Sequence, residues 1–258
     1  MPALAISQGA LSLGERTLWR SLDLTVASGE FLAILGSNGS GKTSLLRAIL
    51  GQQPLDEGSI SVGGRPVQRG DRRIGYIPQQ RMIAPGTPLR GRDLVTLGIN
   101  GHRFGLPRTM RAEHDRVDAA IAAVGASDYA DQPMGSLSGG EQQRLRVAQA
   151  TVSDPLLLLA DEPLTSLDLA HQRGVSELID AQRREHNTAV VFVTHDINPV
   201  LSMVDRILYL AQGRFTIGTP DEVLRSDVLS ALYGTPVEVF RREGRVFVAG
   251  GVEEGHHG

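Results

Sequence analysis

A glycine loop between a short apolar run and a predicted helix constrains the fold of this 258-residue chain more than any other feature. The apolar run covers residues 31–35, the loop residues 36–43, and the helical pattern residues 44–50. An apolar run without alternation predicts a strand buried on both faces, as in a parallel sheet. A strand, a glycine loop and a helix in this order place backbone N–H groups and a helix N-terminus around one anion.

The loop therefore predicts a site for the phosphates of a nucleotide. The Lys42 ammonium can reach the β- and γ-phosphates, and the Thr43 hydroxyl can ligate Mg²⁺. The residues of this segment that we expect to bind nucleotide are Gly36, Ser37, Asn38, Gly39, Ser40, Gly41, Lys42, Thr43 and Ser44.

A second glycine turn opens another predicted helix about a hundred residues later. It reads Leu-Ser-Gly-Gly-Glu-Gln-Gln-Arg over residues 137–144, and the helical pattern continues to residue 152. The turn can also bind phosphate at a helix N-terminus, but it has no lysine of its own. A chain with one site of each kind predicts a pair of copies, in which Ser138, Gly139 and Gly140 of one copy complete the nucleotide site of the other.

Two carboxylates follow the apolar run at residues 156–160. In an open parallel sheet, ligands bind at the carboxyl ends of the strands. Asp161 is placed to hold Mg²⁺, and Glu162 is then free to polarise an attacking water as general base.

Another buried strand, predicted over residues 189–194, ends at His195. This histidine is placed to contact the γ-phosphate and to orient the water. Gln79 follows a strand predicted over residues 73–77 and can sense Mg²⁺ or water. The expected catalytic residues are Lys42, Glu162 and His195, and the expected metal-binding residues are Thr43, Gln79 and Asp161.

Strands that alternate with helices predict an α/β fold with a mostly parallel sheet around the phosphate loop. Alternating patterns within residues 1–30 add an antiparallel β subdomain, and the region from residue 85 to 150 is predicted to form an α-helical subdomain. We expect the nucleotide-binding core in residues 1–84 and 151–220. Residues 221–258 are expected to form a helix, over 221–232, and a hairpin.

Composition excludes several classes of protein. The chain has no cysteine, which excludes disulfides and thiolate metal sites. The net charge of −3 gives no reason to expect a nucleic-acid partner. No apolar run approaches the ~20 residues that span a bilayer, and the first twenty residues lack the pattern of a secretory signal.

Together these motifs resemble those of the ATP-binding-cassette (ABC) transporter ATPases. Residues 36–43 match the Walker A motif, Gln79 the Q-loop, residues 137–144 the signature, residues 156–162 the Walker B strand with its glutamate, and His195 the switch histidine. Ser166-Leu167-Asp168 is similar to the D-loop, which in the family crosses the dimer interface.

The resemblance implies a head-to-tail homodimer that holds two ATP molecules, each with Mg²⁺, between its copies. It also implies integral-membrane permease subunits at the cytoplasmic face of the cell membrane, and indirectly an extracytoplasmic solute-binding protein. ATP would close the dimer, hydrolysis would reopen it, and the helical subdomain would pass the motion to the permease. The family usually stacks an aromatic residue on adenine where this chain has Leu13, so we expect weaker discrimination among bases.

Residues 193–201, 166–173 and 232–237 resemble the ATPases of zinc- and manganese-type importers. These segments are shared in part with importers of iron–siderophore complexes and vitamin B12, which remain alternatives together with an export ATPase.

Three further possibilities have less support in the sequence. An ABC ATPase of DNA maintenance would need a long coiled coil before the signature, and Pro85, Pro88 and Pro107 interrupt that region. A GTPase would need an Asn-Lys-x-Asp motif, which is missing. The histidines and glutamates of residues 253–258 suit a metal ion, but a solvated terminus is the favoured interpretation.

Overall fold

The computed structural model describes residues 1–79, 83–84, 86–100 and 111–250, so Pro85, Pro107 and the terminal histidine segment lie outside the described residues. The strands are β1 Leu4–Leu13, β2 Arg16–Val26, β3 Phe31–Gly36, β4 Glu57–Val62, β5 Arg65–Pro66, β6 Ile74–Ile77, β7 Leu157–Asp161, β8 Ala189–Val193, β9 Arg206–Ala211, β10 Arg214–Gly218, β11 Val237–Arg242 and β12 Arg245–Gly250. The α-helices are α1 Lys42–Ile49, α2 Gly91–Asn100, α3 Arg111–Ala123, α4 Gly139–Thr151, α5 Leu169–His186, α6 Pro220–Val223 and α7 Ser226–Tyr233.

The largest sheet has the strand order β10-β9-β3-β8-β7-β6. It is parallel except for β10, which pairs antiparallel with β9. Because β3, β8 and β7 are neighbours, the phosphate loop, His195 just beyond β8 and the carboxylates at the end of β7 lie along the same edge of the sheet. This is the edge at which open α/β sheets bind ligands.

Strand β3 is buried on both faces because its alternate side chains enter two different cores. Phe31, Ala33 and Leu35 pack in the core that includes the helical region, whereas Leu32 and Ile34 pack with α1 and the antiparallel sheet. That burial explains why the strand is uniformly apolar.

A second sheet, in the order β2-β1-β4-β5, is antiparallel and contains the alternating N-terminal segments. Helices α2, α3 and α4 lie between β6 and β7 in the chain, and buried side chains from all three share one core. The predicted α/β class is therefore confirmed, with its parallel sheet, antiparallel sheet and helical region.

The C-terminal region departs from prediction in one respect. The prediction of a single helix over residues 221–232 is wrong, because α6 ends at Val223 and α7 begins only at Ser226. Leu224 and Arg225 between them have ψ angles of 66° and 144°, which no α-helix contains. The expected hairpin is present as β11 and β12.

Candidate nucleotide-binding site

The phosphate loop runs from Gly36, the last residue of β3, to Gly41, the residue before α1. Their φ angles are 146° and 99°. A Cβ on Gly36 would lie 2.1 Å from the carbonyl oxygen of Leu210, and a Cβ on Gly41 would lie 3.1 Å from Trp19 Nε1. Gly36 therefore requires glycine for conformation and for space, whereas Gly41 requires it chiefly for its backbone conformation. The hydroxyl of Ser40 is buried in the loop without a hydrogen bond to the described residues, as expected of a group that binds a ligand.

Lys42 is the first residue of α1, and its side chain folds back over the loop. Its Nζ donates to the carbonyl oxygen of Gly36 at 2.7 Å and to that of Ser37 at 2.9 Å. Burial lowers the pKa of Lys42, while the carboxylates of Glu162 and Asp161 act in the opposite direction. The ammonium therefore lies within electrostatic range of both predicted carboxylates, in the loop that the sequence assigns to phosphate.

Asp161 is the last residue of β7 and is only 8% exposed. Burial raises its pKa and the Glu162 carboxylate adds to the rise, while a hydrogen bond from Tyr76 Oη, 3.4 Å from Asp161 Oδ2, opposes it. A buried carboxylate held near a second one is a group that a cation would stabilise. The other two predicted metal-binding residues, Thr43 and Gln79, are exposed, and all three side chains carry the oxygen donors that Mg²⁺ prefers.

Glu162 adopts a backbone conformation that is rare for its residue type, with φ 45°. Its N–H donates to the carbonyl oxygen of Val193 at 2.9 Å, which anchors the turn to the end of β8. Strained backbone of this kind persists where the surrounding structure holds a side chain in a required direction.

Three side chains meet one oxygen of Glu162, its Oε2. Thr165 Oγ1 lies at 3.1 Å, Gln79 Nε2 at 3.4 Å and His195 Nδ1 at 3.4 Å. The structure therefore brings together the glutamate, the glutamine and the histidine that the sequence predicts to act on the same water. Thr165 was not predicted, because nothing in its sequence context marks it.

The second glycine turn lies at the start of α4. Ser138 caps this helix: Glu141 N donates to Ser138 Oγ at 3.3 Å, and Glu141 Oε2 accepts from the Ser138 N–H at 2.8 Å. This reciprocal pattern is a capping box, and it exposes Ser138 at a helix N-terminus. The turn therefore presents an exposed helix N-terminus, which favours anions, on a different element from the phosphate loop.

Gln142, one turn further along α4, is a structural residue that sequence reasoning missed. It is fully buried, its Nε2 donates to the carbonyl oxygen of Met134 at 2.9 Å, and its Oε1 accepts from the N–H of Ile83 at 3.2 Å. Ile83 follows the segment that begins at Gln79. Gln142 therefore ties the signature helix to the Q-loop segment, a link that only the tertiary structure reveals.

The predicted interface residue Asp168 caps α5. Its Oδ1 accepts from the His171 N–H at 2.9 Å, and its Oδ2 lies 2.8 Å from His171 Nδ1. The same imidazole packs directly on Gly140 of the signature turn. His171, which belongs to none of the predicted motifs, thus joins two of them.

The region expected to meet the base contains Leu13 at the end of β1. Its side chain is 66% exposed, whereas Trp19 is fully buried beneath the loop and cannot stack on a ligand. Arg16 pairs with Leu13 across the turn, and its Nη1 lies 3.6 Å from a Cβ built on Gly39. A leucine, rather than an aromatic residue, therefore stands at the exposed end of β1.

Comparison with known proteins identifies the same family as the motifs do. The family model for the ABC transporter matches residues 19–165. The hemin import ATP-binding protein of Nocardia farcinica is 36% identical over 87% of this chain and 78% of its own. The zinc import ATP-binding protein of Ruegeria pomeroyi is 35% identical over 91% and 85%. A chain from the inward-facing structure of an ABC transporter of the metal-chelate type is 27% identical, with a TM-score of 0.81 over 96% of both chains.

Proposed function

Because the chain belongs to the ABC transporter family, whose ATPase subunits bind and hydrolyse ATP, we propose that it powers a membrane importer whose cargo is a transition metal. The observation that carries the catalytic part of the proposal is the cluster around Glu162 Oε2, next to the phosphate loop. The family and its ATPase activity stand on the comparisons, and the roles of single residues are our inference from the geometry.

In this proposal Glu162 is the general base for hydrolysis. It directly follows β7 with a strained backbone, at the edge of the sheet where the phosphate loop lies. His195 and Gln79 orient the water that Glu162 polarises, since both contact the same carboxylate. Lys42 binds the β- and γ-phosphates after its ammonium leaves the loop carbonyls.

The oxygen donors Asp161, Thr43 and Gln79 are the residues that would hold Mg²⁺. When bound, the ion neutralises phosphate charge. Asp161 supplies the buried negative charge, and Tyr76 orients that carboxylate through its hydroxyl.

We further propose that the working unit is a homodimer. Ser138, Gly139 and Gly140 of one copy would bind the γ-phosphate of the ATP held by the other, which explains a capped, exposed helix N-terminus with no lysine in its own turn. Asp168 would lie at the same interface. His171 would then connect both interface motifs inside each copy.

Residues 85–150 are the segment that we assign to the permease contact, and residues 1–84 and 151–220 form the nucleotide-binding core. Among the described residues, no helix combines the length and the apolar character that crossing a bilayer requires. From the family, whose ATPase subunits work with membrane permeases, we place the chain at the cytoplasmic face of the cell membrane, held there by integral-membrane permease subunits.

The cargo that we propose first is a zinc or manganese ion, since zinc and manganese import proteins are among the similar sequences. A metal chelate is the second candidate, favoured by the hemin import relative and by the metal-chelate type structure that matches along 96% of both chains. In either case a solute-binding protein outside the membrane would deliver the cargo.

Cellular metal content tests this proposal. Zinc, manganese and iron are measured in cells that lack the protein and are complemented by wild type or by Glu162→Gln. A fall in zinc or manganese that only wild type restores supports ion import, and a fall in iron supports chelate import. Unchanged metal contents in metal-poor medium would overturn the assignment to metal import.

A further inference from the structure

The C-terminal hairpin is attached to the catalytic region through the side chain of Asn198. Strand β12 has one edge paired with β11, and its other edge meets the amide of Asn198. Val246 N donates to Asn198 Oδ1 at 2.8 Å, and Asn198 Nδ2 donates to the carbonyl oxygen of Val246 at 3.0 Å. The amide therefore takes the place of a neighbouring strand at this one residue.

The remaining hydrogen of the Asn198 amide is also used. Nδ2 donates to Asp196 Oδ1 at 2.8 Å, and the Asn198 N–H donates to the same oxygen at 2.9 Å. Thr194 Oγ1 accepts from the Asp196 N–H at 3.1 Å and donates to the Asp196 carbonyl oxygen at 2.7 Å. Residues 194–198 thus form a closed network of hydrogen bonds that ends on the hairpin.

His195 lies between these residues in the chain, but its side chain makes none of these hydrogen bonds. Its side chain is 62% exposed, and its Nδ1 lies 3.4 Å from Glu162 Oε2. Little packing around the ring itself fixes its direction, so its position depends on the backbone on either side. A cavity of about 370 Å³ lies between this loop, Ser37 and β12, so the ring is not supported from the hairpin side by direct packing.

The hairpin is itself fixed at its opposite edge. Val237 N donates to Ser230 Oγ at 2.9 Å and Val239 N donates to Ser226 Oγ at 2.9 Å, both from β11 to α7. Val237 and Val246 are buried in the same core as the helical region. The hairpin is therefore a firm support, to which Asn198 attaches the loop of the histidine.

We propose that Asn198 is a positioning residue for hydrolysis: by binding the edge of β12 it holds His195 beside Glu162, which makes the C-terminal hairpin part of the catalytic apparatus. The inference rests on the proposed role of His195. It assigns a catalytic purpose to a hairpin that lies outside all of the predicted motifs.

The test is a double-mutant cycle on ATP hydrolysis with the variants Asn198→Ala, His195→Ala and both together. Asn198→Ala is expected to lower kcat by about tenfold and to change KM for ATP by less than about twofold, because substrate binding rests on the phosphate loop. In the His195→Ala background, Asn198→Ala is expected to cause no further loss. Ser230→Ala is the matched control, since it removes two hydrogen bonds from the other strand of the same hairpin and should leave kcat within about twofold.

Three outcomes would overturn the positioning role alone, and a fourth would also overturn the catalytic role proposed for His195. An equal loss of kcat from Asn198→Ala with and without His195 would overturn the positioning role, as would an unchanged kcat in Asn198→Ala alone. A similar loss in Ser230→Ala would also overturn it, because general loosening of the hairpin would then explain the effect. If His195→Ala itself keeps wild-type activity, the catalytic role proposed for His195 fails and the positioning role fails with it.

Discussion

Gly140 and His171 are in such close contact that a Cβ on the glycine would lie 2.0 Å from His171 Cδ2. The glycine belongs to the signature turn, and the histidine is bound to Asp168 at the start of α5. The close approach of α4 and α5, rather than a special backbone angle, therefore leaves no room for a Cβ at this position unless the imidazole moves. The two predicted interface motifs are in contact within one chain.

From this contact we predict that Gly140→Ala lowers ATP hydrolysis by about tenfold or more, since displacement by about 1 Å can cost that much in catalysis. The added methyl group would collide with the His171 imidazole and displace the signature turn. Removing that imidazole with His171→Ala should therefore restore most of the activity. His171→Ala alone keeps the backbone cap on Asp168 and should have a small effect. Steady-state kinetics on the three variants checks this, and failure of the double variant to recover would show that the glycine acts by another route.

We predict that Leu13→Tyr tightens ATP binding. A ring at this exposed position can stack on the base, and a gain of roughly 1 kcal/mol corresponds to a fall in Kd of about fivefold. Calorimetry with ATP and GTP measures the effect, and wild type should distinguish the two nucleotides by less than about threefold if no side chain reads the base. Leu156→Tyr, at another exposed leucine, is the control and should leave Kd unchanged. A strong preference of wild type for ATP would contradict the role given to Leu13.

Asp71 and Arg73 form a largely buried ion pair that links the antiparallel sheet to β6. Arg73 binds Asp71 through its Nε at 2.8 Å and also donates to the carbonyl oxygen of Pro66 at 3.1 Å. Burial alone would raise the pKa of Asp71, but the hydrogen bonds and the charge of Arg73 outweigh it and hold that pKa below its usual value. The ionised carboxylate is therefore stabilised in the folded chain.

We predict that Asp71→Asn lowers the free energy of unfolding by about 1–3 kcal/mol at pH 7. A lowered pKa contributes stability above the unfolded-state pKa, and this is lost as pH falls through the folded-state value. The difference between wild type and variant should thus shrink as pH falls below about 4. Urea unfolding at several pH values tests this, with the exposed Asp227→Asn as control. A difference that grows toward low pH would show that the ion pair does not stabilise the fold.

The part of the site that sequence predicted well consists of residues at the ends of buried strands. Gly36, Asp161 and His195 could be found because uniformly apolar runs mark the strands and the sheet order brings their ends together. Residues whose importance depends on distant contacts could not be found in this way. Tyr76, Gln142 and His171 meet partners 85, 59 and 31 positions away, and no local pattern encodes those pairs.

The break between α6 and α7 illustrates a second limit. No glycine or proline interrupts residues 221–232, and Pro220 and the capping box at Thr219 mark where the first helix begins. Leu224 leaves the helical conformation and is buried in the core, so tertiary packing overrides local propensity there.

In the proposed dimer two copies share each ATP, and Glu162 is the general base for the hydrolysis that reopens the dimer. The most direct measurement is the mass in solution of Glu162→Gln with MgATP, alone and combined with Ser138→Phe. We predict a dimer of the 27.7-kDa chain for Glu162→Gln, with hydrolysis lowered by about a hundredfold or more. We predict a monomer with unchanged ATP affinity once Ser138 is also replaced. A dimer that persists in the double variant, or hydrolysis that survives in Glu162→Gln, would contradict the proposal.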